Sequence, residues 1–135
     1  MIYSLTIPGE PQGKERARYG NGRTYTPKKT VAYEERIKNL FINKWGKPML
    51  EGEVQVSIIA YYTIPKSYSK KKKELAFQGL IKPIKKPDLD NIAKVVLDSL
   101  NKIAYKDDNQ VVRLLLDKDY SNEPRVEVEL EDMNG

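Results

Sequence analysis

The stretch from Lys85 to Gln110 constrains this chain most. Within it Ile92, Val96, Leu100 and Ile103 recur at helical spacing with Ala93 and Leu97 beside them, which predicts an amphipathic helix of about three turns from Asp90. Pro87 disfavours helical geometry at Lys86, and Asp88 or Asp90 can cap the free amides of the first turn, where negative charge also suits the helix dipole. Asp90, Lys94 and Asp98 then fall at steps of four along the polar face.

Capping accounts for one aspartate, yet Asp88 and Asp90 stand at i and i+2, and an adjacent pair, Asp107 and Asp108, follows the helix. Carboxylates brought together repel unless a cation sits between them, and Mg2+ favours one or two carboxylates completed by waters and substrate phosphates. A helix from Asp90 to Asn101 carries the chain roughly 16 Å, and the residues from Lys102 to Asp108 span about 20 Å when extended. Asp108 can therefore return to the helix start, where Lys94 would aim a cation at the same spot. An EF-hand loop begun at Asp88 is excluded, because it needs glycine and glutamate where Ala93 and Ser99 stand. A capped surface helix followed by an acidic turn remains the competing reading of these residues.

The chain contains neither cysteine nor histidine. That removes disulfides, thiolate zinc sites, Ser-His-Asp triads and every histidine base, leaving carboxylates, lysines, hydroxyls or a bound ion. Net charge is +5 despite the gathered aspartates, so the remainder is more basic still and suits a polyanion, of which nucleic acid is the commonest. With 39% hydrophobic and 32% charged residues over a length of 135, one folded domain covering residues 1–135 is expected. No apolar run approaches a membrane span and Met1–Ser4 lacks the pattern of a signal peptide, so a cytoplasmic protein without membrane contact is expected.

Ile2–Ile7 alternates like a half-buried strand, ended by Pro8-Gly9. From Pro11 to Lys29 runs a long loop in which Lys14, Arg16, Arg18, Arg23, Lys28 and Lys29 interleave with Tyr19 and Tyr25, a composition suited to phosphates and bases, while Gly13, Gly20 and Gly22 are expected to keep it mobile. Thr26 as N-cap and Pro27 at the first helical position open a helix whose core face reads Val31, Glu34, Ile37, Leu40, Phe41 and Trp45, with only Glu34 out of character, and which Gly46 and Pro48 stop. Val54–Tyr62 reads as a central strand. Ser69 caps a short helix over Lys70–Phe77, closed by Gly79; its four consecutive lysines, with Lys82, Lys85 and Lys86, form either a solvated surface or a phosphate-binding rim. Val111–Lys118 and Arg125–Glu131 read as strands, joined by a turn at Ser121–Pro124, and the last residues as frayed. The order β-α-β-α-α-β-β predicts an α+β domain with a mixed sheet of about four strands and helices packed on it.

The string Lys86-Pro-Asp-Leu-Asp-Asn-Ile-x-Lys-x-Val-Leu-Asp-Ser-Leu-Asn, followed by Tyr105-x-Asp-Asp-x-Gln-Val, resembles the signature of the RusA family of Holliday junction resolvases. The resemblance implies the same fold class, a homodimer, and Mg2+ held by Asp88, Asp90 and Asp108, with Mn2+ as a substitute. It also implies that Lys94 is needed for cleavage. Lys14, Arg16, Arg18, Arg23, Lys85 and Lys86 are the expected DNA contacts, and Asp98 and Asp107 stand in second rank. The implied activity is symmetric strand cleavage of four-way DNA junctions in recombination and repair. The competing functions are a basic DNA-binding module without catalysis and a metal nuclease for other branches such as flaps. Many family members carry Asn-Gly after the helix where this chain has Asn101-Lys102, and Asn101 is expected to take the left-handed conformation that ends it.

Overall fold

The computed structural model describes residues 1–134; Gly135 lies outside them, with the end of the expected domain and part of the expected fraying. Strand β1 (Ile2–Pro8) is followed by two three-residue strands, β2 (Arg18–Gly20) and β3 (Arg23–Tyr25), then helix α1 (Lys28–Trp45), β4 (Val54–Thr63), α2 (Lys70–Phe77), α3 (Leu89–Leu100), β5 (Val111–Ser121) and β6 (Arg125–Asp132). Alternation along β4 buries Val54, Val56, Ile58, Ala60 and Tyr62 on one face, and Val126, Val128 and Leu130 do the same along β6. These face the apolar stripes of α1 and α3 in one core. The main sheet has the order β1-β6-β4-β5, antiparallel except for the β4/β5 pair, and is the four-stranded mixed sheet of an α+β domain. β4 is central, as its composition predicts.

Several local expectations change. The Pro11–Lys29 segment is not free of structure: β2 and β3 form a hairpin whose two connecting residues, Asn21 (φ 52°) and Gly22 (φ 76°), both take positive φ. Pro27, not Thr26, holds the N-cap position of α1, and no side chain caps that end. The buried face of α1 is Thr30, Tyr33, Ile37 and Phe41, while Val31 is 44% exposed. Thr30 is drawn inward because its hydroxyl accepts the Glu15 N–H, a partner from the preceding loop. Asn101 keeps an ordinary negative φ, and Lys102 (φ 64°) takes the left-handed conformation instead. Met133 is not frayed, since its N–H donates to the Glu53 carbonyl.

A parallel β4/β5 pair requires a crossover, and residues 64–110 supply it with α2 and α3. Tyr62, near the end of β4, donates its hydroxyl to the Pro87 carbonyl at 2.7 Å, which fixes the start of α3 at that end of the sheet. Helix α3 then runs back along the core. Its exit closes locally: the Ala104 N–H returns to Leu100, the Tyr105 hydroxyl to Leu97, and Leu50, just before β4, bridges to Tyr105. The two ends of α3 thus lie at opposite ends of β4.

Candidate active site

Residues flanking α3 and the segment before the hairpin enclose a cleft of about 1120 Å3, lined among others by Gly13, Arg16, Arg18, Lys29, Lys86, Asp88, Asp90 and Lys94. The two halves meet closely. The Lys14 N–H donates to the Asn91 carbonyl at 2.9 Å, and a Cβ on Gly13 would stand 2.9 Å from the Asn91 Cβ and 3.0 Å from the Pro87 Cβ. Gly13 is therefore required for close approach, not mobility.

Asp88 holds the N-cap position of α3 but makes no side-chain cap bond, so its carboxylate is not consumed by the helix. Asp90 follows in the first turn, where the amide dipoles favour a negative charge. Burial first, then the charges of Asp88 and Glu10, push the Tyr62 phenol up to about 12, so it stays a donor to Pro87 through neutral pH. Lys94, one turn above Asp90, is exposed in the cleft. Among the described residues its ammonium pairs with neither Asp90 nor Asp98, the i, i+4 partners that a surface role offers.

Other expected site residues have different tasks. The Lys14 ammonium is closed between Glu34 at 2.8 Å and Asp98 at 3.3 Å, rather than standing free for a phosphate. Burial lowers its pKa, but Glu34 and then Asp98 outweigh that and the net shift is upward. This triad uses up Asp98 and explains the one acid on the inner side of α1. Asp107 is a cap: its carboxylate accepts the Asn109 N–H while Gln110 accepts the Asp107 N–H and reaches Leu50 and Gly52.

Asp108 does not return to the helix start. It opens the short 3-10 turn before β5, and it acts on the buried Tyr105 hydroxyl, which burial first and then Asp108, Asp98 and Asp107 push upward. The lengths of α3 and β4 put it on the order of 20 Å from Asp88. Among the described residues no three carboxylates stand close enough to hold an ion between them. Asp88 and Asp90 alone fit the mode in which Mg2+ takes one or two carboxylates and fills its remaining positions with water and phosphate.

Arg16, Arg18 and Lys86 line the cleft, whereas Arg23 lies exposed on β3 and Lys85 is exposed on the approach to α3. Lys29, read from sequence only as part of the basic loop, also lies in the cleft, and Gly13 and Asn91 join its two halves. The signal for Asn91 was its place in the Asp-x-Asp-Asn motif; nothing local in the sequence marked Gly13 as a contact.

The chain is 40% identical over 137 residues to an uncharacterized protein, YqaN, of Bacillus subtilis strain 168, with 97% of this chain and 96% of that protein covered. Residues 8–131, from the end of β1 through β6 and including the whole cleft, match the family described as endodeoxyribonuclease RusA, so the chain belongs to that family of nucleases.

Proposed function

We propose that this protein is a Mg2+-dependent endodeoxyribonuclease that resolves four-way DNA junctions by symmetric cleavage, in recombination and repair. The observation that carries the reading is one cleft in which the uncapped Asp88, Asp90 and Lys94, whose ammonium has no ion pair among the described residues, meet the cations Arg16, Arg18 and Lys86. Asp88 and Asp90 hold the ion, with Mn2+ as a substitute. When bound, such an ion supplies Lewis acidity at a phosphate and lowers the pKa of a bound water. Lys94 offsets the negative charge that develops on the scissile phosphate. Arg16, Arg18 and Lys86 neutralise phosphates within the cleft, and Arg23 and Lys85 take those further out. The protein acts as a homodimer, which suits a substrate with two equivalent strands to cut.

A synthetic four-way junction, a flap and a linear duplex, each with and without Mg2+, test the reading. The wild type is expected to nick the junction at paired symmetric positions only with the ion. Asp88→Asn and Asp90→Asn should keep junction binding, because the basic contacts remain, and lose cleavage. Junction binding without ion-dependent nicking favours the non-catalytic module. Preferential cutting of the flap moves the substrate class.

A further inference from the structure

Ile84 is 98% exposed, the most exposed large apolar side chain among the described residues. The backbone around it is fixed. Pro83 is buried, the preceding Lys82 pairs with Asp119 at 3.3 Å, the Lys118 ammonium donates to the Lys85 carbonyl at 2.7 Å, and Tyr62 holds the Pro87 carbonyl. A stiff, β-branched side chain is therefore presented outward on a pinned loop, and among the described residues it is not part of the core or of the side chains packed against it. Ile84 stands two residues before Lys86, which lines the cleft, and four before Asp88, so its Cα lies within about 14 Å of that carboxylate's backbone. Lys85 and Lys86, both exposed, adjoin it, so a DNA strand drawn into the cleft by these cations would pass close to Ile84.

Proteins that kink DNA push apolar side chains between base steps, and the cost of unstacking is least where bases are already poorly stacked. We propose that Ile84 is a wedge that enters the stack at the branch point of the DNA substrate, opening the bases beside the phosphate presented to Asp88 and Asp90. The inference rests on the junction-cleaving reading above and adds the group that selects a branch over a plain duplex.

The test uses the full chain and a four-way junction with 2-aminopurine at the crossover, read by fluorescence without Mg2+ and by single-turnover cleavage with it. Wild type is expected to raise the fluorescence on binding. Ile84→Ser, which keeps the fold because the side chain is exposed, should leave the fluorescence near that of free DNA. It should also cut the junction at least about tenfold more slowly at saturating protein, with affinity changed by less than about threefold. Ile84→Met should behave like wild type, and a junction with unpaired bases at the crossover should restore the serine variant's rate. Equal fluorescence and equal rates for wild type and Ile84→Ser overturn the wedge and leave the nuclease reading standing. A wild type that cuts no junction overturns that reading, while the binding fluorescence still decides the role of Ile84; failure of junction binding by the wild type overturns both.

Discussion

Lys94 is where the demands of folding and of chemistry separate. As a helix-surface residue it would pair with Asp90 or Asp98 for about 0.2–0.5 kcal/mol. Among the described residues neither pair forms, and Asp98 is held by Lys14 at 3.3 Å. Truncating Lys94 therefore removes almost nothing from the fold. Opposite a scissile phosphate, however, the same ammonium is a preorganised charge whose loss costs on the order of 100- to 1000-fold in rate, about 2.7–4 kcal/mol. Lys94→Ala is expected to keep its melting temperature and junction affinity while single-turnover cleavage falls by at least about two orders of magnitude. Lys94→Arg should recover only part, because a planar guanidinium places its charge differently and does not release a proton. Cleavage by the alanine variant within a few-fold of wild type would return Lys94 to the helix surface.

At the scale of elements, the exit of α3 carries local strain. Lys102 takes φ 64° at the position where the family resemblance puts glycine, and a side chain in the left-handed region costs on the order of 1 kcal/mol. Lys102→Gly is expected to raise stability by about 0.5–1 kcal/mol, part of the relief being offset by the greater freedom of glycine in the unfolded chain. A urea midpoint that stays put or falls would show that this backbone is not strained. The sequence led to Asn101 for this role because asparagine tolerates the conformation, but the Tyr105 hydroxyl, reaching back to Leu97, sets the turn one residue later. α3, β1, β4 and β6 are legible because each buries a periodic face; α2, which buries only Ala76, is legible from its Ser69 cap and the glycine that closes it, and β5 from its run of branched apolar residues. The β2/β3 hairpin is not legible in the same way, since its strands are short and exposed and show no alternation; its local signal is Asn21-Gly22, a dipeptide that suits a two-residue turn. Ile37, Leu40, Phe41 and Trp45 of α1 face the core as their spacing predicts, whereas its first turns bury Thr30 and Tyr33 in place of Val31, and the contact of Thr30 with Glu15 is one that no local pattern encodes. Within the cleft, Asp88, Asp90 and Lys94 were legible from spacing along one helix, whereas the fate of Lys14 and Asp108 depended on tertiary partners.

The whole molecule leaves Asp108 and the Asp88–Asp90 pair at opposite ends of β4, and in the homodimer proposed above a second copy would be the means of joining them. β5 is an edge of the sheet, and its first half exposes Val112, Leu114 and Leu115 on both faces, a pattern that invites pairing with another strand. Two copies related by a two-fold axis through this edge would pair β5 antiparallel with β5. The start of each strand, just after Asp108, would then lie beside the end of the other, the end at which Lys118 holds the approach to Asp88. Asp108 of the partner subunit would complete the carboxylate set in each cleft. Mixing two inactive variants distinguishes this from a site completed within one subunit. In a mixed dimer of Asp88→Asn and Asp108→Asn chains, one cleft carries both substitutions and the other carries neither, so ion-dependent nicking should return on co-refolding to as much as about a quarter of the wild-type level, half the dimers being mixed and each holding one good site. If every site is completed within its own chain, each cleft of the mixed dimer retains one lesion and no nicking returns. A third variant, Leu114→Lys with Leu115→Lys, places charge on the shared edge and should yield monomers by sedimentation that bind DNA but do not cut it. Full cleavage by such monomers, together with no recovery in the mixture, would confine the reaction to a single chain and require Asp108 to act, if at all, from where it stands.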